Sequence, residues 1–141
     1  MIILDTDHIV TLKYSGSERF SRLSQRMADS DDQDFATTAV TFEEQMRGWL
    51  AQINRLRDVR QQVNAYSELT GLIDFFGFWT VLPFDEAAAE LFSEFRKQRI
   101  RTGSMDLKIA SIAVTRDCLL LTANTRDFEK IPNIQIEDWI S

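Results

Sequence analysis

The chain has 141 residues, 44% of them apolar and 11% aromatic, with a formal net charge of −6. That length suits one domain with a single core, and the apolar share excludes disorder over the whole chain. No stretch approaches the roughly 18 apolar residues that span a bilayer, and the acidic balance argues against holding nucleic acid on a broad basic surface.

Taken in chain order, the pattern alternates short apolar strands with amphipathic helices. Ile2–Leu4 reads as a buried strand. The start, MIILDTDHIV, has no basic n-region, so no secretory leader is expected and the protein is expected to be cytoplasmic. Ser17–Ala28 predicts a helix with Phe20, Leu23 and Met27 on one face, and the acidic stretch to Asp34 reads as a solvated loop. Phe35–Val40 predicts a second strand and Thr41–Leu50 a helix. A longer helical stretch follows, with Leu56, Val59, Val63, Tyr66, Thr70 and Ile73 at three- and four-residue steps, ending near Gly77.

Trp79–Leu82 predicts a third strand. Asp85 is a good N-cap for a helix that places Ala88, Leu91, Phe92 and Phe95 on one face. Ser104 starts the next helix, with Ile109, Ala110 and Ala113 on one side. Cys118–Leu121 predicts the most apolar strand, and the lone Cys118 reads as a buried structural thiol. A helical turn near Asp127 leads to an edge strand at Ile134–Ile136. Strands separated by helices imply a single α/β domain over residues 1–141, a three-layer sandwich with a mainly parallel central sheet flanked by helices.

The acids fall at informative places. Asp5 follows the first strand, Glu44 lies in the first turn of the helix after the second, Asp106 in the first turn of the helix begun by Ser104, and Asn124 and Asp127 follow the fourth strand. In an open parallel sheet these positions share the edge where ligands bind. Oxygen donors of this kind suit Mg²⁺ or Mn²⁺. Each acid also has a local explanation. Thr41 and Glu44 fit a capping box, Asp106 favours a helix N-terminus, Asp7 could cap a helix starting at His8, and Asn124 could cap a turn containing Asp127. Local roles explain each acid singly but not their common edge. His8, the only histidine, reads as a polar neighbour without a chemical role, since no residue is placed to orient it as a base.

Four segments resemble PIN domains, and the last resembles VapC-type toxins. They are IILDTD, AVTFEEQMRG, GSMDLKIASIA and LLTANTRDFEKIPNIQIEDW. The resemblance covers almost the whole chain, with the acids in the family's order. It implies a PIN-like fold and metal-binding, catalytic roles for Asp5, Glu44 and Asp106, with Asp127 and Asn124 completing the metal set and Asp127 also catalytic. Asp7 stands where the family often has asparagine, and Asn124 where some members have aspartate. The implied activity is Mg²⁺-dependent endoribonuclease cleavage, with Mn²⁺ able to substitute, on a tRNA or rRNA. The implied partners are a VapB-type antitoxin and a second copy in a homodimer, and no membrane. Arg96, Arg99, Arg101 and Lys108, near the third acid, are candidates for guiding RNA, with Asp7 and Thr122 as further substrate contacts. Two alternatives stand beside this reading: a catalytically silent PIN-like protein-binding module, and a phosphatase of the haloacid dehalogenase type using Asp5 as nucleophile.

Overall fold

The computed structural model describes residues 1–141. In chain order the elements are β1 (Ile2–Leu4), α1 (Thr6–Lys13), α2 (Glu18–Asp29), β2 (Phe35–Thr38), α3 (Ala39–Arg55), α4 (Val63–Gly77), β3 (Thr80–Leu82), α5 (Glu86–Lys97), α6 (Ser104–Thr115), β4 (Leu119–Leu121), α7 (Thr125–Phe128) and β5 (Gln135–Glu137). The strands form one sheet in the order β3-β2-β1-β4-β5. Every neighbouring pair is parallel, so the sheet is wholly rather than mainly parallel.

Successive side chains of a strand point to opposite faces, and β1 shows why helices must cover both. Ile3 joins one buried cluster with Ala36, Leu120, Leu107 and Phe95. Ile2 and Leu4 join another with Ile9, Leu23, Leu72 and Leu121. Helices α5 and α6 therefore cover one face, and α1, α2 and α4 the other. Each fully buried Leu or Ile contributes about 1.5–3 kcal/mol of transfer free energy, so the two clusters hold the sandwich together.

Local chemistry sets the helix ends. Ser17 caps α2 by accepting from Phe20 N, and Asp85 caps α5 by accepting from Ala88 N. Helices α5 and α6 both close in a Schellman turn. Arg99 and Asp117 take the left-handed conformation there, at φ 59° and 52°. Ile100 N then reaches Phe95 O, and Cys118 N reaches Ala113 O. Cys118 is buried as the apolar residue that follows this second turn, the structural thiol expected for it.

Several boundaries differ from expectation. Helix α1 starts at Thr6, not His8, because Asp5 rather than Asp7 accepts from the Thr6 N–H. Helix α3 starts at Ala39, because Thr38 Oγ1 caps Thr41 N. The strand before it is correspondingly short, and Glu44 lies in the second turn. Helix α6 starts at Ser104 as expected, though Gly103 holds its N-cap and makes no side-chain bond. Ser104 Oγ instead accepts from Arg96. The longer helical stretch starts at Val63 rather than near Leu56, and Gln62 Nε2 ahead of it donates to the Ile53 and Leu56 carbonyls.

Candidate active site

The chain leaves β1 toward β2 on one side and places β4 on the other. The crevice beyond the C-terminal strand ends at such a switch point is where open parallel sheets bind ligands. Leu4 and Leu121 are register partners, so Asp5 and Thr122 leave the sheet side by side. Asp5 N donates to Leu121 O at 2.9 Å. Thr122 Oγ1 donates to Asp5 Oδ2 at 2.8 Å, and Thr6 N donates to Asp5 Oδ1 at 2.7 Å. Asp5 is thus buried and held at both oxygens.

Asp7 ties α1 to the loop after β4. Ala123 N donates to Asp7 Oδ2 at 2.9 Å. His8 lies beneath it, fully buried. Trp139 N donates to His8 Nε2 at 3.1 Å, so the other ring nitrogen carries the proton and donates to Asp7 Oδ1 at 2.6 Å. His8 is a structural linker between α1 and the C-terminal segment, the polar neighbour expected for it.

Glu44 reaches the same edge from α3. Its Oε2 accepts from Thr6 Oγ1 at 3.2 Å, not from the Thr41 amide. Its Oε1 is enclosed and has no partner. Asp106 stands in the first turn of α6. Asn124 Nδ2 donates to Asp106 Oδ2 and to Asp127 Oδ2, each at 3.1 Å. Asn124 therefore bridges the two acids and gives α7 no side-chain cap. Glu44 and Asp106 line an open cleft of about 440 Å³ with Arg47, Gly103, Ser104 and Met105.

The electrostatics follow from burial and crowding of like charges. Burial, with Asp7 beside it, pushes the Asp5 carboxyl up from 3.8 to about 7. Burial raises Glu44 as well, reinforced by Asp106 and Glu43. Burial raises Asp106, reinforced by Asp127 and Asp7. Negative charge without a counter-ion at this edge is therefore costly.

That strain suits a divalent cation. The donors are all oxygen, and the partnerless Glu44 Oε1 is free to bind. No three His, Cys, Asp or Glu side chains close round one point as a finished cage. Mg²⁺ accepts this, since it keeps several waters and binds through one or two carboxylates with substrate phosphates.

Of the basic residues singled out by sequence, Arg96 is tied to the Thr102 carbonyl and Ser104 hydroxyl that lead into α6. Arg99 and Arg101 are exposed. The Lys108 ammonium lies 5.9 Å from the Phe84 ring centre. Thr122 holds Asp5 rather than facing outward, and it is fully buried. Sequence reasoning missed Arg47, whose only signal is its place three residues after Glu44 on α3. It also missed Thr6, whose bond to Glu44 spans 38 positions. The acidic stretch before β2 is not purely solvated, since Asp32 binds the N-terminal ammonium at 2.6 Å.

The chain is 29% identical over 139 residues to "Ribonuclease VapC" of Rickettsia bellii, covering 96% of this chain and 93% of that protein. It is 38% identical over 63 residues to "tRNA(fMet)-specific endonuclease VapC" of Salmonella typhimurium, covering 42% of this chain and 48% of that one. Its fold superposes on a chain from the crystal structure of VapBC-1 of nontypeable Haemophilus influenzae with a TM-score of 0.70 and 24% identity, covering 100% of both. A sequence model of the PIN domain matches residues 2–134. The chain belongs to the PIN domain family.

Proposed function

We infer that this chain is a ribonuclease of the VapC type, cleaving RNA phosphodiester bonds with a divalent cation, Mg²⁺ or Mn²⁺. The observation that carries the mechanism is the convergence of Asp5, Glu44, Asp106 and Asp127 at one sheet edge, with three of the carboxyls raised and Glu44 Oε1 partnerless. The relatives named as ribonucleases support the reaction class. The phosphatase reading gives way to the family match over residues 2–134.

Asp5, Glu44 and Asp106 would hold the cation, with Asp127 completing the set. The cation, when bound, supplies charge neutralisation of the phosphate and acidifies water for attack on phosphorus. Thr6 and Thr122 fix two of the carboxylates, so little reorganisation is needed when substrate arrives. Asn124 holds Asp106 and Asp127 apart by donating to both. Arg47 lines the cleft in an ion pair with Glu43 at 2.8 Å, and its guanidinium would be shared with an approaching phosphate.

By likeness to VapBC complexes, the partner is a VapB-type antitoxin, and we propose a homodimer as the active unit. By likeness to the tRNA-specific relative, the substrate is a structured RNA such as a tRNA. We place its action in the cytoplasm; no helix is long and apolar enough to cross a membrane. The test is cleavage of bacterial RNA by the purified protein in Mg²⁺ against EDTA. Cleavage should require the metal and disappear in Asp106→Asn while the fold survives. Equal cleavage by variant and wild type would place the chemistry elsewhere, and a silent binding module would neither cleave nor be stabilised by Mn²⁺.

A further inference from the structure

A second groove continues from the acidic cleft along the seam between α1 and α3. Glu44 lines both. The groove encloses about 360 Å³, and its lining includes Tyr14, the C-cap of α1, and Trp49, Gln45, Gln52 and Gly48 from α3. Tyr14 is 53% exposed although it is a large aromatic residue. Trp49 packs partly on the core and still reaches the groove. A Cβ added at Gly48 would meet nothing within 4 Å, so the helix leaves open space there.

We propose that this groove is a base-binding subsite, in which Tyr14 and Trp49 stack an unpaired base of the RNA next to the scissile phosphate. The proposal rests on the ribonuclease reading and extends it to substrate selection. Three observations favour a base as occupant. First, the groove opens on Glu44, where the phosphate must sit. Gly48 and Trp49 lie four and five residues along α3, about 6–8 Å at 1.5 Å per residue, within reach of an adjoining nucleotide. Second, aromatic rings stack any base, and the Gln45 and Gln52 amides offer donors and acceptors to its edge. Third, the Lys13 ammonium is buried without a hydrogen-bond partner and lies 5.6 Å from the Tyr14 ring centre. It is a local positive charge beside this groove in a chain of net charge −6.

Two disrupting variants and one restoring variant test it. Gly48→Leu fills the groove, and because leucine favours a helix more than glycine does, the fold should survive. Tyr14→Ala removes an exposed ring, and Tyr14→Trp restores one. The probe is a single-stranded RNA oligonucleotide carrying 2-aminopurine, mixed with protein in Mg²⁺ and read in the first milliseconds, before turnover. Wild type and Tyr14→Trp should quench its fluorescence by stacking, and Gly48→Leu and Tyr14→Ala should not. In steady-state cleavage the latter two should raise KM about tenfold or more, the scale of one lost base stack. Their kcat should change less than twofold.

Unchanged KM and quenching in both variants would overturn the subsite while leaving the ribonuclease reading intact. Quenching by a wild type that never cleaves would sustain the subsite and sink the ribonuclease reading. If both variants bind and cleave RNA normally but no longer bind a copurified antitoxin, the groove belongs to that protein and the proposal fails.

Discussion

Replacing Asp5 by asparagine should make the metal-free protein more stable while destroying its activity. Burial and Asp7 raise the Asp5 carboxyl from 3.8 to about 7. The folded state therefore holds the proton more tightly than the unfolded chain. Stability linked to this group is full below pH 3.8 and is lost as pH rises through about 7. At pH 8 the ionised carboxylate costs about 4 kcal/mol, from about 1.4 kcal/mol per pH unit of difference. Asparagine keeps an oxygen for the Thr6 N–H and an amide for Thr122 Oγ1. Exchanging charged for neutral hydrogen bonds gives back about 1 kcal/mol. A net gain of about 2–3 kcal/mol remains, or roughly 6–12 °C in Tm for a domain of this size. At pH 5 the gain should shrink to under about 1 kcal/mol, because wild-type Asp5 is then protonated when folded. Thermal melts of both proteins in EDTA at pH 8 and pH 5 measure this, and Mg²⁺ should raise the wild type alone. A variant less stable than wild type at pH 8, or a difference that ignores pH, would refute the reasoning.

Other outcomes follow from the same contacts. Thr122→Val removes the hydroxyl that holds Asp5 and leaves Asn124 N without its acceptor. RNA cleavage should fall at least about tenfold, with a loss of about 1–2 kcal/mol on urea denaturation. His8→Ala leaves the Trp139 N–H unpaired and a cavity beneath Asp7. It should cost about 2–4 kcal/mol by the same assay, and a cost under 1 kcal/mol would count against the linker role. Arg99→Gly should raise Tm by a few degrees, about 1 kcal/mol, since glycine takes the left-handed turn at φ 59° without strain.

The order of the acids was legible because each follows a strand or opens a helix, and parallel connections bring such positions to one edge. The helix faces of α5 and α6 were legible too. Ala88, Phe95, Ile109, Ala110 and Ala113 are buried as their spacing implies. The stretch from Leu56 to Ile73 was not. Val59, Val63, Tyr66 and Ile73 recur at helical steps, yet all are exposed, at 74%, 65%, 53% and 63%. The buried residues of α4 are Ala65, Leu72 and Phe76. An apolar helix carries more than one stripe, and periodicity does not say which one docks. The hydroxyl supports were invisible for another reason. Thr122 and Asp5 lie 117 positions apart, and only the register of β1 with β4 makes them neighbours.

The proposed chemistry is attack of water on RNA with a divalent cation held by the acids at the sheet edge. The most direct measurement is the chemistry of the fragment ends produced from a single-stranded RNA in Mg²⁺ and in EDTA. Attack by water predicts fragments free of 2′,3′-cyclic phosphate, formed only with the metal and absent in Asp106→Asn. Fragments ending in cyclic phosphate, made equally well in EDTA, would mean that the ribose hydroxyl is the nucleophile and would contradict the account.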